Sequence, residues 1–267
     1  MFCCIQKEIF GLIDQYWKGQ TLLNKDEYKN KFHSGRIFTE YFKNKYYPEI
    51  SSKYEWDKIN ESDIKLIKTA WNSSLTDYRF LRRGLARLAS KYELNLLLRH
   101  NIKVKEFKKK RRLKISCRIF SKYNNELISW QREKAKKLLS KICNTELISK
   151  RRYHSELINA KITFSPFGWG EICYRDFEAI YSGSLLLKPS MDHVETWPNL
   201  YLRNETYIPC NWDLNDLIDI LNNFDQINKI DIVENSRKLY NLYLNNESGK
   251  YEFTKRLKML IKNLLVS

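Results

Sequence analysis

The chain has 267 residues, 43% of them hydrophobic, which is enough to bury one large core or two ordinary ones and excludes general disorder. Its 48 Lys+Arg against 31 Asp+Glu leave +17, a balance that suits a nucleic acid, an anionic membrane surface or a phosphorylated substrate. AT-rich coding also enriches Lys, Asn and Ile together, and no apolar run approaches the roughly 18 residues of a membrane span.

The opening "MFCCIQKEIFGLIDQYW" carries Lys7, Glu8 and Asp14, unlike a signal peptide or an anchor, so a cytoplasmic, reducing setting is expected. The cysteines agree: Cys3, Cys4, Cys117, Cys143, Cys173 and Cys210 contain no C-x-x-C pair and no Cys/His ligand spacing. They read as small, mostly buried apolar residues. To about residue 110 the pattern is mainly helical. In "INESDIKLIKTAW", Ser62 is a plausible N-cap and Ile64, Ile67 and Trp71 recur at helical spacing. "YRFLRRGLARLASKYELNLLL" continues in the same key, with Gly84 as a weak point. "NIKVKEFKKKRRLK", Asn101 to Lys114, is a basic run that marks a domain edge. It reads either as a solvated face or as a grip on phosphates or an anionic membrane.

Beyond it strands and helices alternate, predicting a parallel α/β layer over 111–267. "LKISCRIF" reads as a strand. "NNELISWQREKAKKLLSKI" reads as an amphipathic helix with Leu127, Trp130, Leu138 and Ile142 near one face. A helix "YHSELINA" leads into the strand "KITFS". A glycine loop, a helix from about Ile172 to Ser182, the stop residue Gly183 and the strand "SLLLK" come next. "TYIPC" is another strand, and Asp213 is the expected N-cap of a helix striped by Leu214, Leu217, Ile218 and Leu221. Two amphipathic helices close the chain, the last carrying Phe253, Leu257, Leu260, Ile261 and Leu264.

The loop holds the chemistry. Three of the eight glycines fall between residues 168 and 183. A strand, a glycine-containing loop and a helix start form an anion site, because backbone N–H groups and the positive end of the helix dipole converge there. Gly168 and Gly170 are expected to admit a diphosphate, and Pro166 to fix the exit from the strand. Glu171, Arg175 and Glu178, at i, i+4 and i+7, are expected on one helical face. They would pair a cation suited to phosphate with carboxylates suited to sugar hydroxyls. The same spacing also makes an ordinary surface ion ladder.

"YHSELINAKITFSPFGWGEICYRDFEAIYSGSLLLKP" resembles the donor-binding half of a GT-B glycosyltransferase, nearest the exostosin-like and family-1-type enzymes. Their P-x-G loop and R-x-x-E-A-x-x-x-G helix are filled here by Pro166, Gly168, Arg175, Glu178, Ala179 and Gly183. "RRLKISCRIF…WQREKAKKLL" is similar to the first strand and helix of that half, and "TYIPCNWDLNDL" to a later pair. The resemblance implies a Rossmann-like nucleotide-sugar domain over 111–267 and a smaller, incomplete acceptor-side part over 1–110. It implies transfer of a sugar to a hydroxyl of a glycan, lipid-linked or protein acceptor, without metal or cofactor. Glu178 would hold the donor ribose, and Arg175 with the Gly168–Gly170 loop the diphosphate. Glu171 would sit near the sugar, Arg118 would face the cleft, and Lys188 would add a second positive charge. The family's common retaining pattern places its two glutamates eight apart, the first before Phe-Gly. Here Glu171 follows the glycines, seven from Glu178, so the role of Glu171 and the stereochemical outcome stay open. No D-x-D motif is present, His33, His100, His154 and His193 make no H-x-x-x-H pair, and no catalytic base is assigned. His193 is weighed both as a site residue and as a structural one. The competing reading is a non-enzymatic protein binding nucleic acid or anionic surfaces through Lys103 to Lys114; the glycosyltransferase reading involves no nucleic acid and allows peripheral membrane contact through that same run.

Overall fold

The computed structural model describes residues 5–47, 58–71, 104–107, 110–244 and 247–265. A 3-10 turn at Lys7–Leu12 precedes β1 (Tyr16–Lys18) and β2 (Gln20–Leu22), and two more such turns lead to α1 (Ile37–Tyr46). A single helical turn, α2 (Glu61–Ile64), runs into β3 (Ile67–Thr69). The described N-terminal residues mix short strands, 3-10 turns and one longer helix. Ile64 and Ile67 do not share a helix. The chain turns after Ile64, and Ile67–Thr69 pairs in parallel with Tyr16–Lys18, burying Ile67 and Thr69. Both periodicities point Ile64 and Ile67 inward, and a strand partner distant in sequence decides between them. The cap position is Asn60, not Ser62. The proposed helix over 78–98 lies outside the described residues.

From residue 110 onward the alternation holds. β4 (Leu113–Ser116), β5 (Ala160–Phe164), β6 (Leu185–Pro189) and β8 (Ile208–Cys210) form a four-stranded sheet in that order, every neighbouring pair parallel. Two helices, α3 (Glu126–Leu139) and α4 (Lys150–Asn159), join β4 to β5, and α5 (Tyr174–Ser182) joins β5 to β6. The short β7 (Val194–Thr196) precedes β8, after which come α6 (Leu217–Asn222), α7 (Lys229–Leu244) and α8 (Glu247–Leu265). The molecule is thus α/β with a parallel sheet, compatible with a Rossmann-like domain. Among the described residues no helix is long and apolar enough to cross a membrane.

Strand alternation supplies two cores. Leu185 and Leu187 pack with Ile115, Ile162, Phe164, Ala135, Leu139 and Leu217, whereas Leu186 packs with Ala179, Tyr207 and Phe38 and Phe42 of α1. Each leucine so buried contributes roughly 1.5–3 kcal/mol. Gly183 ends α5 at φ 69, and a Cβ there would stand 2.3 Å from the Lys105 carbonyl oxygen. Only glycine admits the 104–107 segment against this helix end. Two boundaries shift: β4 stops at Ser116, although Cys117 and Ile119 stay buried, and the helix expected to start after Asp213 starts at Leu217. Leu214 adopts φ 59, which the first turn of a helix does not allow.

The N-terminal residues are stitched to the sheet domain. β2 pairs antiparallel with β7, Gln20 opposite Thr196. α1 lays Phe38 against Phe167, with ring centroids 4.8 Å apart, and Tyr46 on Trp130 at 4.4 Å. Asp213, instead of capping a helix, accepts hydrogen bonds from Tyr41 (2.9 Å), Tyr46 (3.0 Å) and Lys45 (2.6 Å).

Candidate functional site

Because the four strands run the same way, the segments after β4, β5, β6 and β8 emerge at one edge, where α/β sheets place ligands. The loop after β5 is held from behind. Gln131 accepts from the Phe167 N–H at 2.9 Å, and Arg132 Nε donates to the Phe167 carbonyl at 2.6 Å. Gly168 turns its N–H inward to the Gly170 carbonyl at 3.1 Å, so that donor is spent within the loop. The close approach at Gly168 is to a guanidinium: a Cβ there would lie 3.1 Å from Arg132 Nη2. Gly170 is buried beside it, and Trp169 stands out 46% exposed.

Beside the two loop glycines, the five expected side chains fall into three groups. Arg118, Arg175 and Glu178 come together: Arg175 Nη2 donates to the Arg118 carbonyl at 2.5 Å, and Tyr153 bridges Arg175 Nε (3.3 Å) and Glu178 Oε2 (2.9 Å). Burial raises the Glu178 carboxyl above its ordinary pKa, against the pull of Tyr153 and Arg175. The Arg118 guanidinium is already committed. It forks onto Glu156 through Nε (2.9 Å) and Nη2 (2.5 Å), while Nη1 binds Asn144 and the Glu146 carbonyl. It is therefore a tie between β4 and α4, not an open cleft cation.

Glu171 belongs to a second group. It lies outside α5, so it does not share a helical face with Arg175 and Glu178. Its carboxylate is fully buried at the seam with the N-terminal residues, where Gln20 Nε2 donates to Oε2 at 2.7 Å and His193 Nε2 stands 3.5 Å from Oε1. His193 packs edge-on against Trp212 at 4.8 Å.

Lys188 forms the third. It is 0% exposed, with Nζ 3.2 Å from the buried Asp176 and 5.2 Å above the Phe167 ring. Asp176 also accepts from Ser165 Oγ, Tyr201 (2.7 Å) and the Cys173 N–H (3.0 Å), the last closing a capping box on α5. Lys188 is a neutralised core residue that positions the loop and the helix start.

Two cations remain beside the loop. Arg132, buried on α3, and Arg175, half-buried on α5, lie close enough to repel each other, and among the described residues neither is in an ion pair. Desolvation by burial lowers the pKa of Arg132. Sequence reasoning passed over Arg132 because α3 was read for its apolar face. That face is in fact built by Leu127, Ile128, Gln131, Arg132, Ala135 and Leu139, while Ile142 is 38% exposed. Asp176 and Tyr153 were missed as well; an acid three residues after the Cys173 cap position was the available signal. The basic run is only partly described: Arg111 is buried and donates to the carbonyls of Leu157, Ala160 and Ser182, whereas Lys105, Lys110, Arg112 and Lys114 are exposed. Comparison with protein-family models, with curated proteins and with solved structures finds no match for this chain.

Proposed function

We propose that the loop after β5 receives the diphosphate of a nucleotide sugar, and that the protein transfers the sugar to an acceptor hydroxyl without a metal. The observation that carries this reading is the pair Arg132 and Arg175, one guanidinium buried and one half-buried beside a glycine loop and, among the described residues, neither in an ion pair. Charge buried in this way calls for an anion, and a diphosphate offers planar guanidinium forks several acceptor oxygens. Stabilising the leaving diphosphate by fixed donors is also the chemistry that a metal-free transfer requires.

Glu178 lies one helical turn beyond Arg175 and is held by Tyr153, which suits a carboxylate accepting from the ribose hydroxyls. The resemblance to GT-B donor domains supports the same assignment, and the parallel sheet is the scaffold such a domain uses. In this reading Glu171 and His193 support the loop from the seam with β2, and Lys188 and Arg118 hold its frame. The acceptor approaches from the side of the N-terminal residues, and exposed Lys105, Lys110, Arg112 and Lys114 provide the contact with an anionic membrane.

Calorimetric titration of the full chain with a panel of UDP-, GDP-, ADP- and dTDP-sugars in EDTA tests the proposal. At least one donor is expected to bind, and Arg175→Met to weaken it about tenfold or more, the worth of a charge-assisted hydrogen bond. Binding that needs added divalent metal, or that Arg175→Met leaves untouched, would remove the basis of this reading.

A further inference from the structure

Two cysteines that the donor site does not use lie side by side. Cys117 is fully buried immediately after β4, and Cys143 is half-buried in the turn beyond α3, packed against the same core. The two segments run together: the Ile119 N–H donates to the Thr145 carbonyl at 3.4 Å, and Arg118 Nη1 reaches Asn144 Oδ1 at 2.8 Å. Cys143 packs against the core cluster to which Cys117 belongs, so the paired segments bring both cysteines to one end of that core. We propose that Cys117 and Cys143 form a peroxide-sensitive dithiol that closes to a disulfide, a modification site one residue from Arg118.

The chemistry assigns the two sulfurs different roles. The Cys143 thiol is pushed below its ordinary pKa, chiefly by the neighbouring Cys117 thiol and also by the Arg118 guanidinium, against burial and the Glu156 carboxylate. Burial pushes the Cys117 thiol well up. Cys143, the half-buried thiol, is the one that oxidant can reach, and Cys117, fully buried, is the resolving thiol behind it. The Cys143 thiolate attacks hydrogen peroxide, forming an S–O bond as the O–O bond breaks and hydroxide leaves; protonation gives a sulfenic acid and water. Cys117 then attacks that sulfur, an S–S bond forms, the S–O bond breaks, and the departing hydroxide takes the Cys117 proton as a second water. Two thiols are oxidised by two electrons and one peroxide is reduced. Of the other described cysteines, Cys210 is buried and Cys173 directs its thiol to the carbonyls of Pro166 and Gly170.

The test is peptide mass mapping of the full chain under non-reducing conditions after graded hydrogen peroxide, which reads the cysteines directly and does not depend on donor binding. The expected product is a linked Cys117–Cys143 peptide pair lighter by two hydrogens and restored by dithiothreitol. Cys143→Ser should abolish the linkage and leave Cys117 unreacted. Cys117→Ala should leave a sulfenic acid at Cys143 that dimedone traps. Should Cys117→Ala fail to fold, wild type and Cys143→Ser decide the matter alone. Oxidation that falls first on Cys3, Cys4 or Cys173, or that drives Cys143 to sulfonic acid while Cys117 stays a thiol, would overturn the proposal.

Discussion

Asp213 shows how a residue chosen for one role performs another. As a short acid ahead of an apolar stripe it reads as a cap, yet its carboxylate receives Lys45, Tyr41 and Tyr46 of α1. Burial by itself would raise this acid, but the bond from Lys45 and those from the two tyrosines outweigh it and set the pKa at about 2. A folded-state pKa below the unfolded value contributes stability that is present above pH ~4 and lost as pH falls through ~2. With Lys45 partly exposed, solvent screening keeps that contribution small. Thermal melts of wild type and Asp213→Asn should differ near pH 6 and converge near pH 2. An unchanged difference across that window would show that ionisation of Asp213 does not hold α1. Lys188 teaches the converse lesson: a lysine within "SLLLKP" reads as a cleft cation, but its 0% exposure and its bond to Asp176 place it in the core. The local capping-box spacing marks Asp176 as a helix-start acid, but nothing in the sequence joins it to Ser165, eleven residues away, or to Lys188, twelve away.

Elements with strong local signals were legible. β5 and β6 are short apolar runs, α5 carries Phe177 and Ile180 on its buried face, and Gly183 stops it in the left-handed conformation that only glycine adopts at low cost. Gly183→Ala combines a strained φ with a Cβ 2.3 Å from Lys105 O and 2.7 Å from Glu106 O. It should cost about 2–4 kcal/mol in denaturant unfolding, and a cost below about 1 kcal/mol would mean that the 104–107 segment does not pack there. Elements whose signal lies in a distant partner were not legible. β1, β2, β3 and β7 have three residues each, too few for alternation to show, and β2 finds β7 across the length of the sheet domain. The register of α3 was misjudged because Gln131 and Arg132 are buried through bonds to loop atoms some 35 residues away. Polarity patterns place such side chains outside.

At the scale of the molecule, one parallel sheet brings four strand ends to a single edge, and the N-terminal residues close against that edge through β2, α1 and Gln20. That arrangement gathers a loop, two arginines on different helices and a tyrosine-held glutamate at one place, the surface proposed to face a diphosphate. The glycine loop, Arg175 and Glu178 were readable as a motif, while Arg132 became visible only when α3 was set beside the loop. The central claim is that this surface holds a nucleotide sugar through Glu178 as well as through the guanidiniums. The most direct measurement is the calorimetric affinity of the best-binding donor for wild type and for Glu178→Ala. Loss of a charge-assisted hydrogen bond to the ribose predicts a roughly tenfold to hundredfold weaker Kd for the variant with the fold intact by circular dichroism. No donor bound by wild type, or equal affinity in the two proteins, would contradict the account.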